Sequence, residues 1–171
     1  MTVPVVQSTL DVALWLFDQS RRDDIHMPAQ KLQRLLWLAQ AIYAAEYHGR
    51  MLMPATFVAD QTGPMEPTVF HIFEDSRPPI AAGKLVPEAE NFLRRIWRKY
   101  GHHSPDYLNR MLQNNEVYRR HYRKEPGTVI PFEAIKRHFT QKPDPDKMVK
   151  TQDGRVLKKW VPGAKPPGPR D

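Results

Sequence analysis

The sequence predicts a mainly α fold: a single compact helical domain of about six helices, one or two short β-hairpins and a Pro-rich basic C-terminal tail. Three observations lead to this fold class. Apolar residues recur every three or four positions in several segments, as they do on the buried face of a helix. Prolines stand where these segments begin, a position at which the missing amide donor is harmless. A chain of 171 residues with 40% apolar composition is also long enough to bury a core of its own.

The first two predicted helices carry the strongest pattern. Leu10, Ala13, Leu14 and Phe17 lie at helical spacing and predict a helix over about 8–20. The next helix follows Pro28, and its wide apolar stripe predicts that it is the central helix of the domain. That stripe consists of Leu32, Leu35, Leu36, Ala39, Ile42 and Tyr43. Gly49 is a suitable residue to end this helix just after His48.

The middle of the chain mixes strand, turn and helix signals. A short strand or hairpin is predicted near 52–61, and Gly63-Pro64 predicts a turn after it. Pro67 then begins a short helix. Pro87 begins a longer one, with acidic residues in its first turn, where the helix dipole favours them, and with a glycine at position 101 to end it.

Two more helices and the tail complete the prediction. Ser104-Pro105-Asp106 combines a capping hydroxyl, a proline and an acid, and Pro131 begins a last short helix. We divide the chain into a helical domain, residues 1–141, and a tail, residues 142–171. The tail holds eight Lys or Arg against four Asp, so it carries +4 of the net charge of +7. Asp153-Gly154 predicts the turn of a hairpin over 147–161.

Composition excludes several classes of protein. The chain has no cysteine, which removes disulfides, thiol catalysis and thiolate metal sites and favours a reducing, cytoplasmic location. No run approaches the ~20 apolar residues of a membrane-spanning helix. The apolar N-terminal stretch has no preceding basic residue and is interrupted by Asp11, so it does not predict a signal peptide. We therefore expect no membrane partner.

Enzyme signatures are missing from the sequence. None of the seven histidines stands in a His-Glu-x-x-His arrangement, which would place two imidazoles on one zinc ion. The adjacent pair His102-His103 falls in a predicted loop, where imidazoles are usually solvated. The chain has no Gly-x-Ser-x-Gly elbow, no phosphate-binding glycine loop and no dinucleotide fingerprint. We expect no catalytic residue, no metal and no cofactor, and therefore no enzyme.

Two basic clusters are candidates for binding a polyanion. Both combine positive charge with neighbouring aromatic residues, as phosphate contacts and base stacking would require. The clusters consist of Arg94, Arg95, Arg98 and Lys99 in the helix after Pro87, and of Arg119, Arg120, Arg123 and Lys124 further along the chain. The alternative, that both are ordinary solvated helix faces, stays open at this point.

Two other segments resemble a known family. They are Lys31-Leu32-Gln33-Arg34-Leu35-Leu36-Trp37-Leu38-Ala39-Gln40 and Thr62-Gly63-Pro64-Met65-Glu66-Pro67. Together with Leu10–Ala13 and Tyr100-Gly101 they resemble the Panacea domain over about residues 8–140. From the residues alone, Trp37 is equally compatible with a core position and the Gly-Pro-Met segment with a rigid connection.

The resemblance implies a bacterial antitoxin that binds its cognate protein toxin directly. One family member, SocA, is instead an adaptor that delivers the toxin SocB to the ClpXP protease. The partner could thus be a SocB-like or another toxin, with ClpX and ClpP as further partners. If a binding face exists, we expect it at the residues that carry the resemblance: Gln33, Arg34, Trp37, Gln40, Gly63, Pro64, Met65 and Glu66. A nucleic-acid-binding repressor that regulates its own genes is the competing hypothesis.

Overall fold

The computed structural model describes residues 3–141, 148–150 and 156–158, with side chains described for residues 3–139. In these ranges the chain forms seven α-helices, and the prediction of a mainly helical domain is confirmed. The helices are α1 (Thr9–Arg22), α2 (Ala29–Glu46), α3 (Pro67–Phe73), α4 (Pro87–Ile96), α5 (Pro105–Gln113), α6 (Glu116–Lys124) and α7 (Phe132–Gln141). The strands are β1 (Phe57–Asp60), β2 (Gly63–Met65), β3 (Val129–Ile130), β4 (Met148–Lys150) and β5 (Val156–Lys158).

Helix α2 is the centre of the domain, as its wide apolar stripe predicts. It contacts α1, α3, α4, α5 and β2. Every side chain from Lys31 to Ala41 is buried, so this part of α2 has no solvated face. Its polar side chains must therefore find hydrogen-bond partners inside the protein, because an unpaired buried polar group is costly.

Side-chain caps fix the beginnings of several helices. The hydroxyl of Ser8 accepts a hydrogen bond from the Leu10 amide at 3.2 Å, and that of Ser104 accepts one from Tyr107 at 3.2 Å. Proline occupies the first turn of α3, α4 and α5. These starts agree with the sequence-based prediction because caps and prolines act locally.

The end of α4 departs from regular α geometry. It continues into a π-helical turn, Trp97–Gly101, in which Trp97 is buried and its indole Nε1 donates to Asp23 Oδ2 at 2.6 Å. A Cβ atom at Gly101 would lie 2.4 Å from Cδ2 of Trp97. Glycine at this position therefore lets the indole pack against the backbone, and the predicted helix end at Gly101 is correct.

A three-stranded antiparallel sheet lies beside α2, in the order β2-β1-β3. The predicted strand in the middle segment is present as β1, but the hairpin spans 57–65 rather than 52–61. Gly63-Pro64 is part of strand β2 and not the turn that the dipeptide predicts, so that prediction is wrong. Proline is tolerated there because β2 is an edge strand and its missing amide breaks no interior ladder.

Helix α6 and strand β3 were not anticipated from the sequence. Asn115 separates α6 from α5, and its Oδ1 accepts hydrogen bonds from the amides of Val117 and Tyr118 at 3.0 and 3.2 Å. A turn over 125–128 then leads to β3, with Pro126 and Gly127 at its two central positions. Gly127 has φ +82°, which glycine adopts without strain.

The chain divides into two compact units, Met1–Thr140 and Gln141–Asp171. In the second unit β4 and β5 pair antiparallel, with Val149 opposite Leu157. This pairing agrees with the hairpin predicted over 147–161, although its predicted turn at Asp153-Gly154 lies outside the described residues. Within the described ranges, none of the helices combines the length and apolarity that a membrane crossing requires.

Candidate functional site

The side-chain amide of Gln40 holds the chain that leads into the sheet. Its Nε2 donates to the Met53 carbonyl at 2.9 Å, and its Oε1 accepts from the amides of Leu52 and Met53 at 3.1 and 3.2 Å. Gln40 is fully buried, so these bonds replace those that the amide would make with water. Gln40 therefore fixes the segment before β1 to the middle of α2.

Arg34 joins three parts of the chain from inside the domain. Its Nη1 donates to the Pro64 carbonyl at 2.6 Å, its Nη2 to Thr62 Oγ1 at 2.8 Å and its Nε to Asn109 Oδ1 at 2.8 Å. The side chain is only 1% exposed. Burial lowers the pKa of Arg34 to about 10, while the negative charge of Asp60 acts in the opposite direction.

Gly63 makes room for this guanidinium group. Its φ is +140°, and a Cβ atom there would lie 2.8 Å from Cζ of Arg34. Any larger residue would be strained in its backbone and would displace the arginine. The resemblance to the family therefore involves two segments that depend on each other: a glycine in one allows the arginine of the other to reach the β1–β2 turn.

Gln33 and Glu66 connect α2 to the start of α3. Gln33 Oε1 accepts a hydrogen bond from the Glu66 amide at 2.7 Å. Glu66 Oε2 in turn accepts from the Val69 amide at 2.6 Å and caps α3. A carboxylate at a helix N-terminus is favoured by the helix dipole, which helps to explain why Glu66 is tolerated at 6% exposure.

Trp37 is a core residue. It is fully buried and packs edge-to-face on Phe57, with ring centroids 5.2 Å apart. Among the described residues, neither the Trp37 Nε1 nor the Gln33 Nε2, one helical turn away, has a hydrogen-bond acceptor. Trp37 therefore contributes packing to the β1 strand and no polar contact.

The expected contact face on these residues needs correction. Seven of the eight residues are buried and serve to hold the sheet and α3 against α2, because helix α2 runs through the middle of the domain. The seven are Gln33, Arg34, Trp37, Gln40, Gly63, Pro64 and Glu66. Met65 is the exception: it is half-buried and lies outside the core cluster.

Met65 belongs to an apolar row on the outer face of the sheet. Val58 of β1 is directly opposite Met65 of β2 on one side and Val129 of β3 on the other. Residues that are paired in this way point to the same face of a sheet. Their neighbours Phe57, Ala59 and Ile130 are buried, whereas Val58 and Met65 are half-buried and Val129 is 50% exposed. We call Val58, Met65 and Val129 the outer apolar row.

Sequence reasoning missed two members of this row. The short apolar run Phe57-Val58-Ala59 is compatible with a strand, but it does not alternate with polar residues and so does not show which side chains face outward. The sequence also does not predict the neighbours of Val58, because neither of the strands that pair with β1 was predicted. Only the register places Val58 between Met65 and Val129.

The two basic clusters are exposed on different helices. On α4, Arg94 pairs with Glu90 at 2.7 Å and Arg95 with Glu46 at 2.7 Å, while Arg98 and Lys99 are exposed on the π-helical turn that follows α4. The Arg94 guanidinium lowers the pKa of Glu90. This cluster is thus partly neutralised by neighbouring carboxylates.

On α6 the cluster is less neutralised. Arg120 lies 3.8 Å from Glu116, a long and exposed contact. Arg119, Arg123 and Lys124 are exposed and have no ion pair within the part of the chain that the structure describes. Because fewer carboxylates neutralise it, the cluster on α6 presents a more positive electrostatic potential to a partner than the cluster on α4 does.

Two further features are relevant to chemistry. A cleft of about 450 Å³ lies between the end of α1 and the end of α3, with Phe17, Ile25 and Phe73 among its lining residues. None of the predicted site residues lines it.

Within the described residues no group of three or more His, Asp or Glu is arranged to hold a metal ion. The ring of His103 stacks on that of Tyr107, with ring centroids 4.1 Å apart.

Comparisons with protein-family models, with curated proteins and with solved structures give no match to this chain.

Proposed function

We propose that this protein is an antitoxin that neutralises a protein toxin by direct binding. The proposal rests on the resemblance of Lys31–Gln40 and Thr62–Pro67 to the Panacea domain. One structural observation carries it further. Gln33 and Arg34 link these two segments by hydrogen bonds inside the domain into one support for a sheet whose outer face carries Val58, Met65 and the exposed Val129.

This arrangement suits a binding protein better than a catalyst. Arg34, Gln40 and Glu66 are engaged in hydrogen bonds with backbone groups and neighbouring side chains, as is the side-chain oxygen of Gln33. The apolar side chains at the surface have no chemistry of their own. The proposal therefore assigns no catalytic residue, cofactor or metal. It places the interaction in the cytoplasm, which the absence of cysteine fits.

Bacterial growth provides the direct test. Antitoxins are usually encoded beside their toxins, so the protein encoded by the neighbouring gene is the candidate toxin. It is expressed alone and together with the full chain. We expect growth arrest in the first case, recovery in the second, and a complex of the two proteins on affinity purification. Recovery without a complex, or no recovery, would count against direct neutralisation.

A blocker and a delivery adaptor differ in the fate of the toxin. With an adaptor, the toxin disappears when the full chain and an active ClpXP protease are present, and it accumulates on an inactive protease trap. With a blocker, the toxin persists in a stable complex. If the tail recruits the protease, deletion of residues 142–171 leaves toxin binding intact and prevents toxin loss. Unchanged degradation after the deletion would exclude a role for the tail.

A nucleic-acid-binding repressor is the second candidate, and the exposed basic residues of α4 and α6 favour it. Binding through phosphate contacts weakens steeply as salt rises, since bound cations are released from the nucleic acid. Recovery of nucleic acid without a protein partner, lost between about 50 and 200 mM salt, would support the repressor and reject the antitoxin.

A further inference from the structure

The outer apolar row is unusual because it lies on an otherwise well-packed domain. Val58, Met65 and Val129 stand side by side across three strands, and none belongs to the core cluster. Neighbouring strands are about 5 Å apart, so the row is about 10 Å wide. That width suits one strand or one helical face of a partner. Contiguous apolar side chains at a surface commonly mark a place where another protein binds.

Positively charged residues lie on a helix that contacts two of the three strands of this sheet. Helix α6 packs against β1 and β3, and its exposed Arg119, Arg123 and Lys124 make no ion pair among the described residues. Asp60 lies two residues after Val58 on β1 and therefore on the same face of the sheet. Its Oδ2 accepts from the amide and the hydroxyl of Thr62 at 3.4 and 3.3 Å. Arg119, Arg123 and Lys124 can therefore pair with acidic groups of a partner.

The edge of the sheet is less suitable for binding than its face. Strand β3 has only two residues, and just before it the Ala59 amide donates to Thr128 while Gly127 donates back to Ala59. Two residues opposite one, with a glycine at positive φ, form a β-bulge that interrupts the edge. Bulges and short edge strands hinder addition of another strand. A partner is thus directed to the face that carries the row.

We propose that the outer apolar row, with the basic residues of α6, is the docking surface for the toxin, and that it receives a segment with apolar side chains flanked by Asp or Glu. This inference rests on the proposed function and identifies its surface. The apolar residues supply contact area. The arginines select an acidic partner and accelerate its approach.

The first test uses Val129, which is half exposed and can be changed with little effect on folding. The probe is the purified protein encoded by the neighbouring gene, titrated against the full chain. We expect Val129→Glu to weaken binding by about tenfold or more, because it removes an apolar contact and repels acidic groups. Val129→Lys introduces a charge that attracts acidic groups and is expected to bind more tightly than Val129→Glu. Ile80→Glu, at another exposed apolar residue, is the matched control and is expected to bind as the unaltered chain does.

The second test addresses charge. Arg119→Glu/Arg123→Glu on α6 is compared with Arg94→Glu/Arg98→Glu on α4, a matched pair of exposed arginines in the other cluster. We expect the α6 variant to bind about tenfold more weakly and with a reduced dependence on salt. The α4 variant is expected to change neither. Far-ultraviolet circular dichroism and a melting curve show that each variant is folded.

The outcomes separate the two levels of the proposal. If the unaltered chain does not bind the neighbouring protein, the antitoxin function is rejected and this docking surface with it. If the unaltered chain binds and Val129→Glu binds equally well, the docking surface alone is rejected. Weaker binding by the α4 pair than by the α6 pair would also overturn it, as would tighter binding of Val129→Glu than of Val129→Lys.

Discussion

Arg34 belongs to one of the two segments that resemble the Panacea domain, and its role in this structure is to hold the fold together. Its guanidinium group bonds to Thr62, Pro64 and Asn109 while the side chain is almost completely buried. Removing it would leave the Pro64 carbonyl and the Asn109 amide without their donor. Loss of binding to any partner in an Arg34 variant would therefore report first on folding.

We predict that Arg34→Ala lowers the free energy of unfolding by about 3–5 kcal/mol, the range for breaking a buried network around a charge. Arg34→Lys keeps the positive charge but lacks the planar guanidinium group that donates to three acceptors at once. We therefore expect its free energy of unfolding to lie between those of Arg34→Ala and the unaltered chain. Urea unfolding of both variants measures this. Arg98→Ala, an exposed arginine, serves as the control and is expected to change stability by less than about 0.5 kcal/mol. An equally small loss of stability for Arg34→Ala would contradict a structural role for the three hydrogen bonds of Arg34.

Trp37 supports a second residue-scale prediction, because packing and hydrogen bonding can be separated there. Its indole nitrogen has no acceptor among the described residues, so loss of the N–H group removes no bond. We expect Trp37→Phe, which keeps a ring against Phe57, to be clearly more stable than Trp37→Ala, which costs about 3–5 kcal/mol. Thermal melts of the two variants provide the comparison. Equal destabilisation would show that the indole nitrogen has a partner after all.

Individual residues also show what the sequence can and cannot predict about the site. The sequence identified the segments Lys31–Gln40 and Thr62–Pro67 but not the direction of their side chains. Arg34 and Gln40 are polar and would ordinarily face water, yet each finds buried partners 12 to 75 positions away in the sequence. Such partners depend on the tertiary fold, so burial of these residues could not be predicted from local patterns.

At the scale of elements, helices with a local start signal were predicted well, whereas the short helix and strands without one were missed. Helices with a proline or a capping hydroxyl at the start, such as α4 and α5, were anticipated within a residue or two. Helix α6 was missed because only Val117, Tyr118 and His121 are buried and four basic residues dominate its sequence. Strands β2 and β3 have three and two residues and are stabilised by pairing with β1, which no local signal reports.

The turn before β3 allows a prediction for an element that sets the sheet register. Gly127 has φ +82°, and a Cβ atom there would meet no atom within 4 Å. The cost of a side chain is therefore conformational only. We expect Gly127→Ala to destabilise the protein by about 1–2 kcal/mol, and Gly127→Asn to destabilise it less, because asparagine tolerates this region better. Urea midpoints test the order. A larger loss for asparagine than for alanine would show that this turn is not limited by backbone conformation.

At the scale of the whole molecule, the pH dependence of stability reports on the contact of Tyr43 in α2 with Glu88 in α4. Tyr43 is fully buried and donates a hydrogen bond to Glu88, which also accepts one from Arg50 at 2.9 Å. Burial is the largest cause that raises the pKa of Tyr43 above its ordinary value of 10.0, and the hydrogen bond and negative charge of Glu88 raise it further. The folded chain therefore keeps this phenol proton at a pH where the unfolded chain loses it.

The sign of the resulting pH dependence follows from proton binding. Above about pH 10 the folded state binds more protons at Tyr43 than the unfolded state, so the free energy of unfolding falls as pH rises. The stabilisation from Tyr43 is fully present below pH 10 and declines above it. Burial lowers the pKa of Lys31 and Arg34, and these bases act in the opposite sense in alkaline solution. A comparison of variants is therefore needed to isolate the tyrosine.

We predict that Tyr43→Phe is less stable than the unaltered chain at pH 8, because the bond to Glu88 is lost, and that its stability declines less steeply between about pH 10 and 11. The difference in slope is bounded by one proton, about 1.4 kcal/mol per pH unit. Urea unfolding at half-unit steps of pH measures both quantities. Tyr107→Phe, at a tyrosine that is 44% exposed, is the control for removal of a phenol from the surface. Parallel curves for Tyr43→Phe and the unaltered chain would mean that Tyr43 ionises alike in the folded and unfolded states, and the contact between Tyr43 and Glu88 would then contribute nothing to the pH dependence of stability in alkaline solution.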